Sequence, residues 1–435
     1  MRHGWTRNLA AALFSSAALT AAEPAVLPAV EVSVSSPAPV ADAPNPLPGV
    51  ASIAAAASAP MQLPPVDSLS AKPLPNPGSL TTATPTSPAN CTFLPDPCQV
   101  CQPRPRFWGQ LDYLLWFPGD IRLSEPIYTT APPQGAGALG EPGTRVIYGG
   151  NDVGLDAANG VRLTMGGWLN PHETWGVEAS GFLLEQVSDG FRVDNGPNAT
   201  TGLFRPILAD ARPNPVEAAI VLADPPQVTG SATAVATSRL WGADINALYN
   251  LRNTSCYRFD GLFGFRYLDL TQSLSFNTVS VFPAPISETV DVADHFETRN
   301  QFYGPQVGGR LTLDRGRVGF VTSLKVGLGV MHETLEIAGT RSVNGVVTGP
   351  GILANAANSG RYSRDRFAAV PELGLRLNYR FAENVSGSVG YDFLYLSDVL
   401  APGDQITRNF PGVAAPMVSA DYFTHGLTLG LGLRY

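Results

Sequence analysis

From about residue 106 to its last residue this chain repeats one pattern: apolar and polar side chains alternate position by position. The clearest case is CYRFDGLFGFRY. Tyr257, Phe259, Phe263, Phe265 and Tyr267 form one stripe, while Arg258, Asp260, Gly264 and Arg266 form the other, with Leu262 the exception. Successive side chains of a strand point to opposite faces, so a period of two is the signature of a sheet, not a helix. Ten such stretches occur. They begin with RFWGQLDYLLWF, GVRLTMGGWL, TWGVEASGFLL and SRLWGADINALYNL and end with Leu427, Leu429, Leu431, Leu433 and Tyr435 in alternation with Thr428, Gly430, Gly432 and Arg434. After Tyr267 the phase slips by one: Leu268, Leu270, Leu274 and Phe276 now alternate with Asp269, Thr271, Ser273 and Ser275. A β-bulge near Leu268 would produce that slip and turn Asp269 inward; a strand leaving the membrane there is the alternative.

A soluble sandwich alternates too. Three further features select a membrane barrel. The strands run about ten residues or more, against a mode of 5–6 in soluble sheets, and ten residues tilted near 45° match an apolar band of ~25 Å. The connections alternate in length. Residues 170–173, 252–255, 314–316 and 382–384 are tight, whereas 118–159, 186–234, 279–294, 339–363 and 398–420 are long. The chain stops on an amphipathic strand ending in Tyr435. Such an ending resembles the C-terminal signal by which barrel assembly machinery takes up outer-membrane proteins. The last strand has to pair with the first, because an open edge in lipid costs several kcal/mol per unsatisfied group. The expected fold is therefore an all-β, transmembrane, antiparallel up-and-down barrel of about ten strands over 106–435. Leu203–Leu208 and Ala218–Leu222, taken as an extra hairpin, would make twelve. Charged residues are only 15 % of the chain, against about 25 % in an average soluble protein. No run of 18 apolar residues encodes a membrane helix. The net charge of −8 argues against a nucleic-acid partner, which requires a basic face.

Residues 1–22 carry Arg2 and Arg7, an apolar stretch from Leu9, and Thr20-Ala21-Ala22 before Glu23. That is the order of a secretory signal peptide cleaved near Ala22. Residues 23–105 hold 19 prolines and a single aromatic, Phe93. Such a segment cannot bury enough apolar surface to offset chain entropy, so it reads as a disordered periplasmic spacer within reach of the cell wall. Cys91, Cys98 and Cys101 close it, and Cys256 follows far downstream. An exported chain with four cysteines favours disulfides over a metal site. The topology brings Cys256 to the periplasmic end with the other three, which points to one local bridge and one bridge from Cys256 to the tail.

The polar stripes carry six acids, Asp112, Glu178, Asp244, Asp260, Glu372 and Asp392, and eight bases, Arg162, Arg258, Arg266, Arg310, Lys325, Arg376, Arg380 and Arg434. These are the candidate lumen residues. Neither sign dominates, and ten strands enclose little more than eight, whose interior side chains just fill the barrel. A neutral ion-pair network therefore competes with an open pore. Trp108, Trp168, Trp175 and Tyr379 lie at strand ends and suit interfacial girdles.

The blocks FWGQLDYLLWF, GVRLTMGGWL, SRLWGADINALYNL, GFRYLDLTQSL, FETRNQFYGPQVGGRL and GYDFLYLSDVLAPGDQI, spread over nearly all of 106–435, resemble the putative beta-barrel porin-7 family of outer-membrane proteins. The resemblance implies a barrel. It carries over no catalytic or binding residue, and "porin" in the name is not a measured conductance. For function it leaves a passive channel for small solutes first and a structural or surface-interaction barrel, tethered through its tail, second. A rim protease is a distant third, resting on His295, beside Asp294 and near Asp291, at the outer rim, where His425 also falls. The sequence has no GxSxG, HExxH or phosphate loop and calls for no cofactor, metal or catalytic residue. Bilayer lipid and the assembly machinery at Tyr435 are the expected partners.

Overall fold

Residues 106–209, 214–254 and 256–435 are described by a computed structural model; the leader, the Pro-rich segment and Cys91, Cys98 and Cys101 lie outside them. Ten antiparallel strands form the wall: β1 (Phe107–Pro118), β2 (Ala158–Trp168), β3 (Trp175–Leu184, resuming as Val187–Asn195), β4 (Thr229–Asn253) and β5 (Tyr257–Phe282), followed by β6 (Glu288–Arg315), β7 (Val318–Val343), β8 (Gly360–Arg380), β9 (Val385–Leu400) and β10 (Ser419–Arg434). Each pairs with the next. The ring closes where β10 meets β1, from Trp108 opposite Arg434 to Pro118 opposite Thr424. Phe107 and Tyr435 exchange both backbone hydrogen bonds at 2.8 Å, so the terminal strand removes the open edge.

The stripes face as their chemistry requires. Leu111, Val161, Ile245, Phe263, Val307, Leu324, Leu377 and Leu429 all point outward and are exposed, forming an apolar belt. On β10 the belt runs from Phe423 to Tyr435, which at ~3.4 Å per residue and a tilt near 40° is roughly 30 Å tall, enough to cross a bilayer's hydrocarbon. Aromatic pairs mark its edges, Trp175–Tyr249 at 4.7 Å and Tyr379–Phe381 at 5.3 Å at one end, Trp241–Tyr267 at 5.2 Å at the other. Trp108 and Trp168 are not part of these girdles; both turn inward, where Trp108 Nε1 donates to Glu178 at 3.0 Å and Arg258 lies 3.8 Å above the Trp168 ring.

Strands β5, β6 and β7 are far longer than a membrane requires, at 26, 28 and 26 residues. Residues 279–294 are therefore mostly strand, and only the short turn 283–287 remains. There is no bulge at Leu268. The β5–β6 register is unbroken from Tyr257 to Phe282, and the only shift against β4 falls at Phe259/Asp260. Arg258, Asp260, Arg266, Leu268, Leu270, Leu274 and Phe276 share one inward face. What changes beyond Tyr267 is the solvent. Within the belt the outside is lipid and the inside polar; above it the outside is water and the inside apolar. Asp269 accordingly stays on the outer face, buried beneath Arg299, whose Nη2 donates to it at 2.6 Å.

The expected extra hairpin exists but is not in the ring. Gly202–Ala209 pairs with Val216–Ala223 inside a separate five-stranded sheet with Pro126–Ala131, Arg145–Gly149 and Asn409–Phe410. The wall keeps ten strands. The small sheet is built from the long connections and sits at their end of the barrel.

Candidate functional site

Along its axis the lumen has three zones. The zone nearest the short turns is polar and encloses a cavity of about 380 Å³. Of the fourteen residues expected inward, twelve line this cavity, and Asp112 and Arg266 are buried in its wall through ion pairs with Arg376 and Glu372. Charges are matched locally. Arg162 meets Asp392 at 3.2 Å, Arg310 meets Glu178 at 2.5 Å, and Lys325 bridges Asp244 at 3.2 Å and Glu372 at 3.3 Å. Arg258 pairs with Asp260 at 2.9 Å and with Glu173 at 3.1 Å. Glu173 belongs to the β2–β3 turn, off every alternating stripe, so periodicity could not reveal it. Asn246 and Gln306 complete the network, at 2.6 Å from each other. Glycines on the polar stripes leave room for it. A Cβ on Gly430 would lie 2.1 Å from Asp112 Oδ1.

The middle zone is apolar. Leu114 and Trp116 of β1, Ala158 of β2, Leu184 of β3, Leu240 of β4, Leu268 and Leu270 of β5, Phe302 of β6, Met331 of β7, Ala368 and Val370 of β8, Leu394 and Leu396 of β9 and Tyr422 of β10 form one buried cluster. All ten strands contribute, so the layer spans the lumen. Alternation concealed it, because the sequence shows these residues as breaks in, or phase slips of, the outer stripe.

The third zone is the interior of the long-connection end. Ile121, Leu123, Ile127, Tyr128, Leu203, Leu222 and Leu353 from the connections pack on Leu274, Phe276, Phe296 and Leu335 of the wall. A buried polar clip helps to fasten this cap. Asp294 of β6 and Arg205 of the small sheet form a fully buried ion pair. Asp294 Oδ1 also accepts from the backbone N–H groups of Ile352, Leu353 and Ala354 at 2.9, 3.0 and 3.0 Å. Arg205 Nη2 reaches the Tyr128 hydroxyl at 3.3 Å. Burial, the nearby Asp189 charge and Tyr128 push the Tyr148 phenol up to about 12.

Asp294 therefore does not partner His295. Neighbours on a strand face opposite ways, and His295 lies outside, its Nδ1 2.8 Å from Ser275 Oγ. Of the rim residues, His295 and Asp294 are thus not brought together. Cys256 lines the turn-end cavity, as topology required; its expected partners lie outside the described residues.

A ten-stranded wall with an apolar outside and paired charges within is the setting in which the comparisons with known proteins apply. The family described as "Putative beta barrel porin-7" matches residues 108–435. The chain belongs to that family. The match begins at the second residue of the first wall strand and runs to Tyr435, so it covers all ten wall strands, and it places this family member in the outer membrane. No curated protein matches the chain in sequence. Among solved structures it is similar to the outer membrane protease OmpT of Escherichia coli, at 10 % identity over 78 % of this chain and 100 % of that one, with a TM-score of 0.39. It is also similar to the transport unit of the autotransporter AIDA-I of Escherichia coli, at 9 % identity over 80 % and 95 % and a TM-score of 0.24. The toluene transporter TodX of P. putida follows at 7 % over 79 % and 93 %, TM-score 0.16. At these scores none bears on what this barrel does.

Proposed function

We propose that the protein is an outer-membrane barrel closed to passive diffusion, whose capped end serves as a structural or interaction surface. The observation that carries this reading is the apolar layer to which all ten strands contribute. Water and ions crossing it would leave a polar cavity for a layer whose polar atoms are few, Trp116 Nε1 and Tyr422 Oη among them, and a hydrophobic constriction of this kind blocks conduction by dewetting. The cap, packed on the wall above, closes the same path a second time. On this reading the short turns and both ends of the barrel are periplasmic, the cap faces outward, and the strand ending at Tyr435 is what the assembly machinery engages. The polar cavity near the turns keeps the passive-channel reading alive only if the apolar layer parts.

Planar-bilayer recording on the refolded full-length protein tests the proposal. Heat-modifiable gel mobility of the same preparation certifies that barrels are present. The expected trace has no unitary steps. Stepwise conductance from folded wild-type protein overturns closure and restores the passive channel.

A further inference from the structure

The two ends of the lumen are finished differently. At the far end the long connections pack into the wall. At the near end the wall strands are joined by connections of only two to six residues, 169–174, 254–256, 316–317 and 381–384, too short to fold over an opening. The 380 Å³ cavity reaches all four of these turns, its lining running down to Glu173, Thr254, Gly316 and Glu383.

The chain has one length that could cover it. The described residues begin with Arg106 at this same end, where its carbonyl accepts from Trp168 N at 2.8 Å, and Trp168, Trp108 and Gln110 all line the cavity. Pro105 is bonded to Arg106, so the segment 91–105 is anchored at the rim. Fifteen residues reach up to roughly 50 Å, more than the height of the apolar belt. A tether this short holds what it carries at about millimolar effective concentration, so a seat of modest affinity stays filled. Cys256 makes the choice of occupant specific. It lines the cavity beside Tyr257 and Arg258, and the other three cysteines, Cys91, Cys98 and Cys101, all fall in this one segment. Between them stand Phe93, Leu94 and Val100 and a single charge, Asp96. Burying an unpaired charge is costly, and residues 91–101 bring only one into a lumen whose charges are already matched. From this arrangement we infer that residues 91–101 of the same chain seat in the turn-end cavity and plug it. A bridge to Cys256 would lock the seat, and the tether alone suffices to fill it. The plug is independent of the apolar layer, and its test does not read conductance.

The chain holds two lysines, Lys72 upstream of the segment and Lys325 in the cavity lining, where Nζ lies 3.2 Å from Asp244 and 3.3 Å from Glu372. They form an internal comparison. Folded full-length protein is treated with a water-soluble acetylating ester, and acetylation of each lysine is followed by peptide mass spectrometry. A second protein carries glycine and serine at equal length in place of 91–101, with Cys256→Ser so that no thiol is stranded; heat-modifiable mobility certifies its barrel. The rate at Lys325 relative to Lys72 is expected to be at least about tenfold higher in the second protein, the factor provided by a seat filled about nine times in ten. Should that protein not fold, Phe93→Ser/Leu94→Ser/Val100→Ser, which keeps every cysteine, is read by the same criterion. Equal relative rates overturn the inference whether fast or slow: fast means that the cavity stands open in the wild type, slow that the ion pairs alone shield the amine. Wild-type protection that disappears on dialysis assigns the cavity to a free solute and overturns it as well.

Discussion

Asp294, itself buried, holds one guanidinium and three backbone amides. The three amides rely on this one carboxylate, and among the described residues the guanidinium has only the Tyr128 hydroxyl besides. Removing one partner of a buried pair leaves an uncompensated charge, at a cost of about 3–5 kcal/mol. Asp294→Ala should therefore loosen the cap while the membrane wall, fastened elsewhere, keeps its heat-modifiable mobility. Limited proteolysis is expected to cut within 196–228 and 344–359 in the variant and not in the wild type; equal resistance would refute the clip. Tyr148 gives the cap an alkaline limit. Its folded-state pKa is about 12, above the ordinary 10, so the neutral phenol is the form the fold favours. The associated stability is complete below pH 10 and is lost as pH rises towards 12. Tyrosinate absorbance and cap proteolysis, followed together, should change in that window; a cap that opens below pH 9 requires a different cause.

At the scale of an element, β5 carries two opposite codes on one unbroken strand. Phe263 and Asn277 both face outward, the first against lipid, the second against water. Phe263→Lys should cost about 2–4 kcal/mol, as charges on the lipid face of a barrel do, whereas Asn277→Lys should stay within ~0.5 kcal/mol. Urea unfolding of refolded protein in bilayers separates the two; equal effects would mean that the belt is misplaced. Inward on the same strand, Leu274→Ala is expected to cost about 2–5 kcal/mol as a core truncation. This strand also shows how much the sequence could disclose. Period two revealed each wall strand and which side chains share a face, because face is a local property of the backbone. It could not say which face is wet. The slip after Tyr267 looks the same whether the chain gains a residue or its surroundings invert, and only the neighbouring strands decide. Asp269 was assigned inward under the bulge for that reason. The hairpin Gly202–Ala209 and Val216–Ala223 was legible as a hairpin, but its place in the cap depends on partners about 75 and 200 residues away, Pro126–Ala131 and Asn409–Phe410. The ion pairs of the lumen were legible as a set of charges, and their matching was not, since Arg162 and Asp392 are 230 residues apart in the chain.

At the scale of the molecule, one end of the barrel is fastened by apolar packing and the other by ion pairs around a cavity that Cys256 lines. We propose that Cys256 is bridged to one of Cys91, Cys98 and Cys101, which precede β1 in the chain. Non-reducing peptide mapping after alkylation should recover Cys256 in a disulfide-linked pair with a peptide from 91–105, and its recovery as an alkylated thiol would end the idea. The cap has a different history from the wall. Its sheet takes strands from three connections, and its Asn409–Phe410 strand, which runs parallel to Leu208–Ala209, is made only after nine wall strands have been made. Pairings so distant in the chain form late, because loop-closure entropy is met before the contacts reward it. The seam of the wall joins residues more distant still, Trp108 and Arg434, so by the same argument the ring itself closes late. The apolar layer that includes Leu114, Leu270, Phe302 and Leu394 draws on all ten strands, so it is complete only once that seam is made, and the lumen can dry only when the wall has closed.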